Sequence, residues 1–265
     1  VTGRFDADTS VRKSGDGLFE ARIDPGWWVM MGPNGGYIAA VVLRALAGAV
    51  DDPSRAPRSL TLHYTAPPVE GPARIETRIE RVGRSLTTVS GRLVQDGRLR
   101  ALALAAFSRP RDSLAFAQTA MPEVRPPEQC PPLERMIPIH DRYEHRWAIG
   151  SPPFGGGDRA LCGGWIRLAE PRVNDAFSVA AFADAFPPAV FSAVDDRTLA
   201  GGVPTVDLTI HFRTSFPLPG AAPVDWLLSV FRSQVARDGF VEETGEIWSR
   251  DGVLVAQSRQ LALLT

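Results

Sequence analysis

One short segment of this chain occurs twice. Leu60-Thr61-Leu62-His63-Tyr64 returns 148 residues later as Leu208-Thr209-Ile210-His211-Phe212. Both copies alternate apolar and polar residues, the period of a half-buried strand. Both place Thr and His on the polar parity and both run on into proline, Pro67-Pro68 in one case, Pro217 and Pro219 in the other. A second pair follows. Arg92 to Leu99 and Glu246 to Val253 each carry Asp-Gly between two strand-like runs. That dipeptide accepts the left-handed backbone of a tight hairpin. Apolar runs follow each turn, Leu99 to Phe107 and Val253 to Leu264, and an insertion around Pro217 to Asp225 accounts for the larger offset of the second pair. A chain that repeats its elements in the same order is constrained to fold as two like halves.

Each half also carries a helix-like segment ahead of its first repeated strand. Gly36 to Val50 is apolar nearly all round, which predicts a buried helix. In the second half the helix is placed at about Ala185 to Val194, with Pro187 and Pro188 in its first turn and Asp184 as the N-cap. Each half then reads strand, buried helix, strand, and a long antiparallel set. The expected class is α+β: a tandem (double) hot-dog fold, each half an antiparallel sheet wrapped around a central helix, the two sheets joined edge to edge. The expected boundaries are 1–112 for the first half, 113–140 for a Pro-rich linker and 141–265 for the second half.

The 265-residue chain is 44% hydrophobic and 22% charged, enough apolar material for a real core. Its net charge of -1 gives no basic surplus for nucleic acid. Cys130 and Cys162 form no Cys-x-x-Cys pair and have no histidine at ligand spacing, so neither a metal site nor a disulfide framework is expected. No apolar stretch approaches the roughly 20 residues that span a bilayer. Val1 to Ser14 is polar, without the apolar core of a signal peptide. The expectation is a soluble, cytoplasmic protein, with no membrane insertion and possible homo-oligomers through sheet or hot-dog pairing. There is no Gly-x-Ser-x-Gly elbow, and Gly155-Gly156-Gly157 lacks the Lys-Ser/Thr of a phosphate loop.

The segments Gly32-Pro33-Asn34-Gly35-Gly36-Tyr37, Pro204 to Arg213 and Asp251 to Gln260 together resemble the bacterial acyl-CoA thioesterase II group and its thioesterase-like relatives. The likeness covers roughly residues 18–110 and 145–264. It implies an acyl-CoA substrate, with coenzyme A entering as part of that substrate and no separate cofactor. It also implies an Asp, a Thr and a Gln that hold and activate a hydrolytic water. These fall on Asp184, Thr205 and Gln260. The chain departs from the pattern in its two prolines after Asp184-Ala185-Phe186 and in the flanks of Gln260.

Residue chemistry is compatible with that implication and with plainer readings. Asp184 could be a base or simply a helix cap. A helix N-terminus would lower its pKa and burial would raise it. Thr205 shares its strand parity with Asp207, Thr209 and His211, an ordinary solvent face. Gln260 stands among small and apolar residues of like parity and needs a partner there, while its counterpart in the first half is Ala105. Asn34, Gly35 and Gly36 open the first helix, where free N–H groups could bind a carbonyl oxygen or merely cap and turn the chain. Asn34 is taken as the positional counterpart of Asp184. The alternatives to hydrolysis are a non-catalytic acyl-CoA-binding module, or an enoyl-CoA hydratase-like activity with His63 or His211 as base. Trp27 and Trp28 could line an acyl pocket or pack in the core.

Overall fold

In the computed structural model, residues 3–30, 32–195 and 202–265 are described. Their strands are β1 (Val11–Gly15), β2 (Leu18–Ile23), β3 (Ala56–Tyr64), β4 (Gly71–Val82), β5 (Leu86–Gln95), β6 (Arg98–Ser108), β7 (Tyr143–Gly150), β8 (Leu161–Leu168), β9 (Thr205–Phe212), β10 (Leu227–Arg232), β11 (Ala236–Arg237), β12 (Phe240–Ser249) and β13 (Leu254–Leu263). All pairings are antiparallel. The order across the sheet is β1-β2-β4-β5-β6-β3-β9-β13-β12-β10-β8-β7, with the short β11 pairing on β12. This order is the same half written twice, the second time reversed.

The repeated sequence lies at the seam between the halves. β3 and β9 run side by side with Thr61 opposite Thr209, and their hydroxyls are 3.1 Å apart. A twofold-like relation therefore passes through the two copies of one threonine. The extra residues expected near Pro217 fall in the connection between β9 and β10. The two Asp-Gly hairpins are built differently. Asp96 and Gly97 both have positive φ (50° and 71°), as a two-residue turn requires. At the other hairpin only Gly252 does (82°), and Ser249 N–H reaches Val253 O at 2.8 Å across a longer loop.

The helices are α1 (Arg4–Asp8), α2 (Gly35–Val50) and α3 (Ala176–Phe182). Helix α2 is buried along most of its length and packs on β3, β4, β5 and β6, as its all-round apolar sequence predicts. Asn34 caps it, its side-chain oxygen accepting from Tyr37 N–H at 3.0 Å. The second-half helix is not where the prolines suggested. Asp175 and Ser178 form a capping box that starts α3, and the chain at Ala189–Ala193 is a single 3-10 turn. Asp184 therefore follows its own helix instead of capping it. The true counterpart of Asn34 is Asp175, since these two residues cap α2 and α3.

Trp27 is 1% exposed and belongs to the core. Its ring stacks on Tyr37 at 5.1 Å and meets Phe5 and Tyr143 edge-on, so it ties α1, α2 and β7 together. Among the described residues no helix is long and apolar enough to cross a membrane.

Candidate active site

The N-terminus of α2 packs closely against α3 of the other half. Gly36 allows it: a Cβ there would lie 2.4 Å from the backbone oxygen of Ala181 in α3. Gly35 does the same for a side chain, since its Cβ would lie 2.9 Å from Asp184 Oδ2 and 3.2 Å from Tyr64 Oη. Gly36→Ala is expected to push α2 from α3, because backbone atoms cannot rotate away. Overpacking of this kind costs about 1–3 kcal/mol, and thermal unfolding should record a fall of several degrees. An unchanged midpoint would mean that the helices do not need this contact distance.

Asp184 lies beside these glycines. Asn34 Nδ2 donates to its main-chain oxygen at 2.6 Å and to its Oδ2 at 3.0 Å, and Gly36 N–H donates to the same Oδ2 at 3.2 Å. The aspartate thus sits at a helix N-terminus after all, but at that of the other half. Burial dominates its electrostatics. The loss of water raises its pKa to about 6, against the lowering by the Gly36 and Gly35 amides, Gln260 and Asn34. Of the two opposed influences expected from sequence, the loss of water is the larger, and the acid is more basic than an ordinary aspartate.

The other two predicted residues join the same cluster. Gln260 from β13 is buried, and its side chain lies near enough to Asp184 to favour that residue's charged form. Its Oε1 accepts from Thr205 Oγ1 at 3.1 Å, at the start of β9. Thr205 is therefore half-buried and turned to the site, not a member of a solvent face. Asp184, Thr205, Gln260, Asn34, Gly35 and Gly36 all lie at one place, drawn from both halves.

Sequence reading missed Glu243. It is buried on β12 directly opposite Gln260, whose Nε2 donates to Glu243 Oε1 at 2.8 Å. Ala189 N–H donates to its Oε2 at 2.6 Å. Burial raises its pKa to about 7, with the Asp184 charge adding to the rise. A signal was present. Glu243 shares parity with Val241, Gly245 and Ile247, all buried, so an acid stood on an inward-facing apolar row. Tyr64 was also missed; its hydroxyl donates to Gly35 O at 2.8 Å, beside Asp184.

The register locates the mirror positions in the first half. Gln260 pairs with Leu208 as Ala105 pairs with Leu60, and Glu243 pairs with Gln260 as Val89 pairs with Ala105. Thr205 pairs with Ala262 as Pro57 pairs with Phe107. The first half therefore has Pro57, Val89 and Ala105 where the second has Thr205, Glu243 and Gln260. One polar site is built on a scaffold that has room for two. His63 and His211 are both exposed, on the far side of their strands from this cluster, so neither can serve as its base. Among the described residues no group of His, Cys, Asp and Glu has the makings of a metal site.

Residues 118–264 match the family model for the acyl-CoA thioesterase C-terminal domain, and residues 24–108 match that for the acyl-CoA thioesterase N-terminal domain. A solved structure from Alicyclobacillus acidocaldarius, described as a conserved protein of unknown function with hot dog fold, is 30% identical. It superposes with a TM-score of 0.89 over 100% of this chain and 99% of that one. An acyl-CoA thioesterase II from Mycobacterium marinum shares the fold, with a TM-score of 0.78 at 20% identity over 98% of each chain. A Mycobacterium tuberculosis protein named as uncharacterized is 27% identical over 282 residues, 93% of this chain and 91% of its own length.

Proposed function

The chain belongs to the acyl-CoA thioesterase family, and from that premise we propose that it hydrolyses an acyl-CoA to free coenzyme A and a carboxylic acid, with Asp184 as general base. The observation that carries this reading is the position of Asp184. It is a half-buried carboxylate whose pKa is raised to about 6, held by Asn34 and the Gly36 amide at the N-terminus of α2 and lying beside the Gln260–Thr205 pair. A base poised close to the working pH combines a useful ionised fraction with useful proton affinity.

In this reading the thioester carbonyl oxygen takes over the Gly36 N–H, whose present bond to Asp184 is 3.2 Å, longer than the 3.0 Å bond from Asn34. The amides of the helix N-terminus then stabilise the negative charge that develops on that oxygen. Asp184 and Gln260 hold a water against the acyl carbon, and Thr205 orients Gln260. The water oxygen bonds to the acyl carbon as its proton passes to Asp184. The C–S bond then breaks as the carbonyl re-forms, and the departing thiolate takes the proton from Asp184, which returns to its ionised form.

The test is release of free thiol from a panel of acyl-CoAs of different chain lengths. Turnover on at least one is expected. A folded sample that turns over none, while acyl-CoA raises its melting temperature, would replace hydrolysis with binding alone. The pH dependence has a fixed sign. Asp184 acts as a base only when ionised, so kcat/KM should rise with pH through about 6. A rate that is flat from pH 5 to 8 would remove Asp184 as the base.

A further inference from the structure

We propose that Glu243 is a positioning residue of this site: its carboxylate fixes the Gln260 amide with Nε2 toward the two acids and Oε1 toward Thr205. The inference rests on the hydrolytic reading above, since the orientation matters only if Gln260 handles the attacking water.

An amide side chain can sit either way round, and only its partners decide which. Gln260 has three. Thr205 Oγ1 is a hydroxyl, able to donate or accept. Asp184 and Glu243 only accept when ionised. Glu243 Oε1 lies 2.8 Å from Gln260 Nε2, and the remaining amide hydrogen is available to Asp184. The flipped amide would aim its oxygen at two carboxylates. Glu243 is itself held rigidly, because Ala189 N–H donates to its other oxygen at 2.6 Å. Ala189 lies a few residues beyond Asp184 on the same segment. Glu243 therefore ties the stretch that carries the base to the strand beside Gln260.

The first half argues that this acid is not needed to build the sheet. Val89 occupies the same register position and is fully buried, next to Ala105 in place of Gln260. The scaffold accepts an apolar residue there. The carboxyl appears only in the half where the amide appears.

The two carboxyls also share one electrostatic environment. The charge of Asp184 acts on Tyr64 from β3 and Tyr143 from β7, the charge of Glu243 acts on Cys162 from β8, and Asp184 and Glu242 add to the negative potential at Glu243. The largest influences on Glu243 include no cation. A second negative charge there is disfavoured, and the donors at the α2 entry favour the first charge on Asp184, so Glu243 takes the later step of the pair. A protonated Glu243 no longer dictates the amide orientation. The rate should therefore rise in two steps, the first with Asp184 and the second with Glu243.

Glu243→Gln is the kinetic test, because it imitates the protonated acid. The expected result is a plateau about tenfold below the parent at pH 8, a KM within about threefold, near-parent rates around pH 6, and loss of the upper step. Glu243→Asp, which keeps the charge on a shorter stem, should recover part of that step. Glu243→Gln with the parent's plateau and both steps would overturn the proposal. A second measurement needs neither turnover nor a folded Glu243 variant. Carbon NMR of labelled side-chain carboxyls should show Glu243 titrating near neutrality in the parent and at clearly lower pH in Asp184→Asn. A Glu243 that titrates in the ordinary carboxylate range, or does not respond to Asp184→Asn, would overturn the coupling. If no acyl-CoA is turned over, the hydrolytic reading fails, while the NMR titration still decides whether the pair exists.

Discussion

Asp184→Asn lowers kcat on the preferred acyl-CoA by about 10³-fold while the protein stays folded. The size follows from the role. A positioned general base contributes on the order of 10²–10⁴ in rate, and 10³ corresponds to about 4 kcal/mol of transition-state stabilisation. Asparagine cannot take a proton from water at neutral pH, however well it is placed. The fold should survive because the substitution is isosteric and because the shortest bond at this residue, from Asn34 Nδ2 at 2.6 Å, goes to the main-chain oxygen. Gly36 N–H can still be met by the asparagine oxygen. Removing a desolvated charge also offsets the lost carboxylate bonds. The assay is thiol release with circular dichroism on the same samples. A variant within threefold of the parent would take Asp184 out of the mechanism.

The largest effect on stability is expected at Trp27→Ala. Truncating a buried tryptophan typically costs about 3–5 kcal/mol. Here the ring is stacked on Tyr37 with the planes 6° apart, and its indole N–H donates to Asp8 Oδ2 at 2.9 Å, so a carboxylate partner is lost as well. At about 2–4 °C per kcal/mol for a chain of this size, the melting temperature should fall by roughly 10 °C. Trp27→Phe keeps much of the stacking and should lose about half as much. Because Trp27 touches α1, α2 and β7, the loss should appear as one cooperative shift of the whole transition. A fall of less than 3 °C would show that these elements do not depend on the ring.

Much of the scaffold is legible before any coordinates. The repeat around Thr61 and Thr209 marks the two strands that pair at the seam. The apolar run of α2 and the inequality of Ala105 and Gln260 also read correctly, because alternation and all-round hydrophobicity are local signals. The second helix does not read locally. Ala176–Phe182 is only seven residues long and almost wholly apolar, so it offers no periodic contrast, whereas Pro187-Pro188 imitates a helix start. That displacement also hid the contact that matters, Asp184 against the α2 entry some 148 residues away in the chain. The pKa of Asp184 was undecidable in sequence for the same reason, since burial and helix dipole pull in opposite directions and only packing sets their sizes. Glu243 was visible by parity on β12, but its partners Gln260 and Ala189 come from elsewhere in the chain.

Two like halves share one working site. Titration calorimetry with a non-hydrolysable thioether analogue of the preferred acyl-CoA should therefore find one analogue bound per chain, with similar affinity in the parent and in Asp184→Asn, because Pro57, Val89 and Ala105 leave the mirror position without polar groups. Two analogues bound per chain would mean that both halves carry a working site.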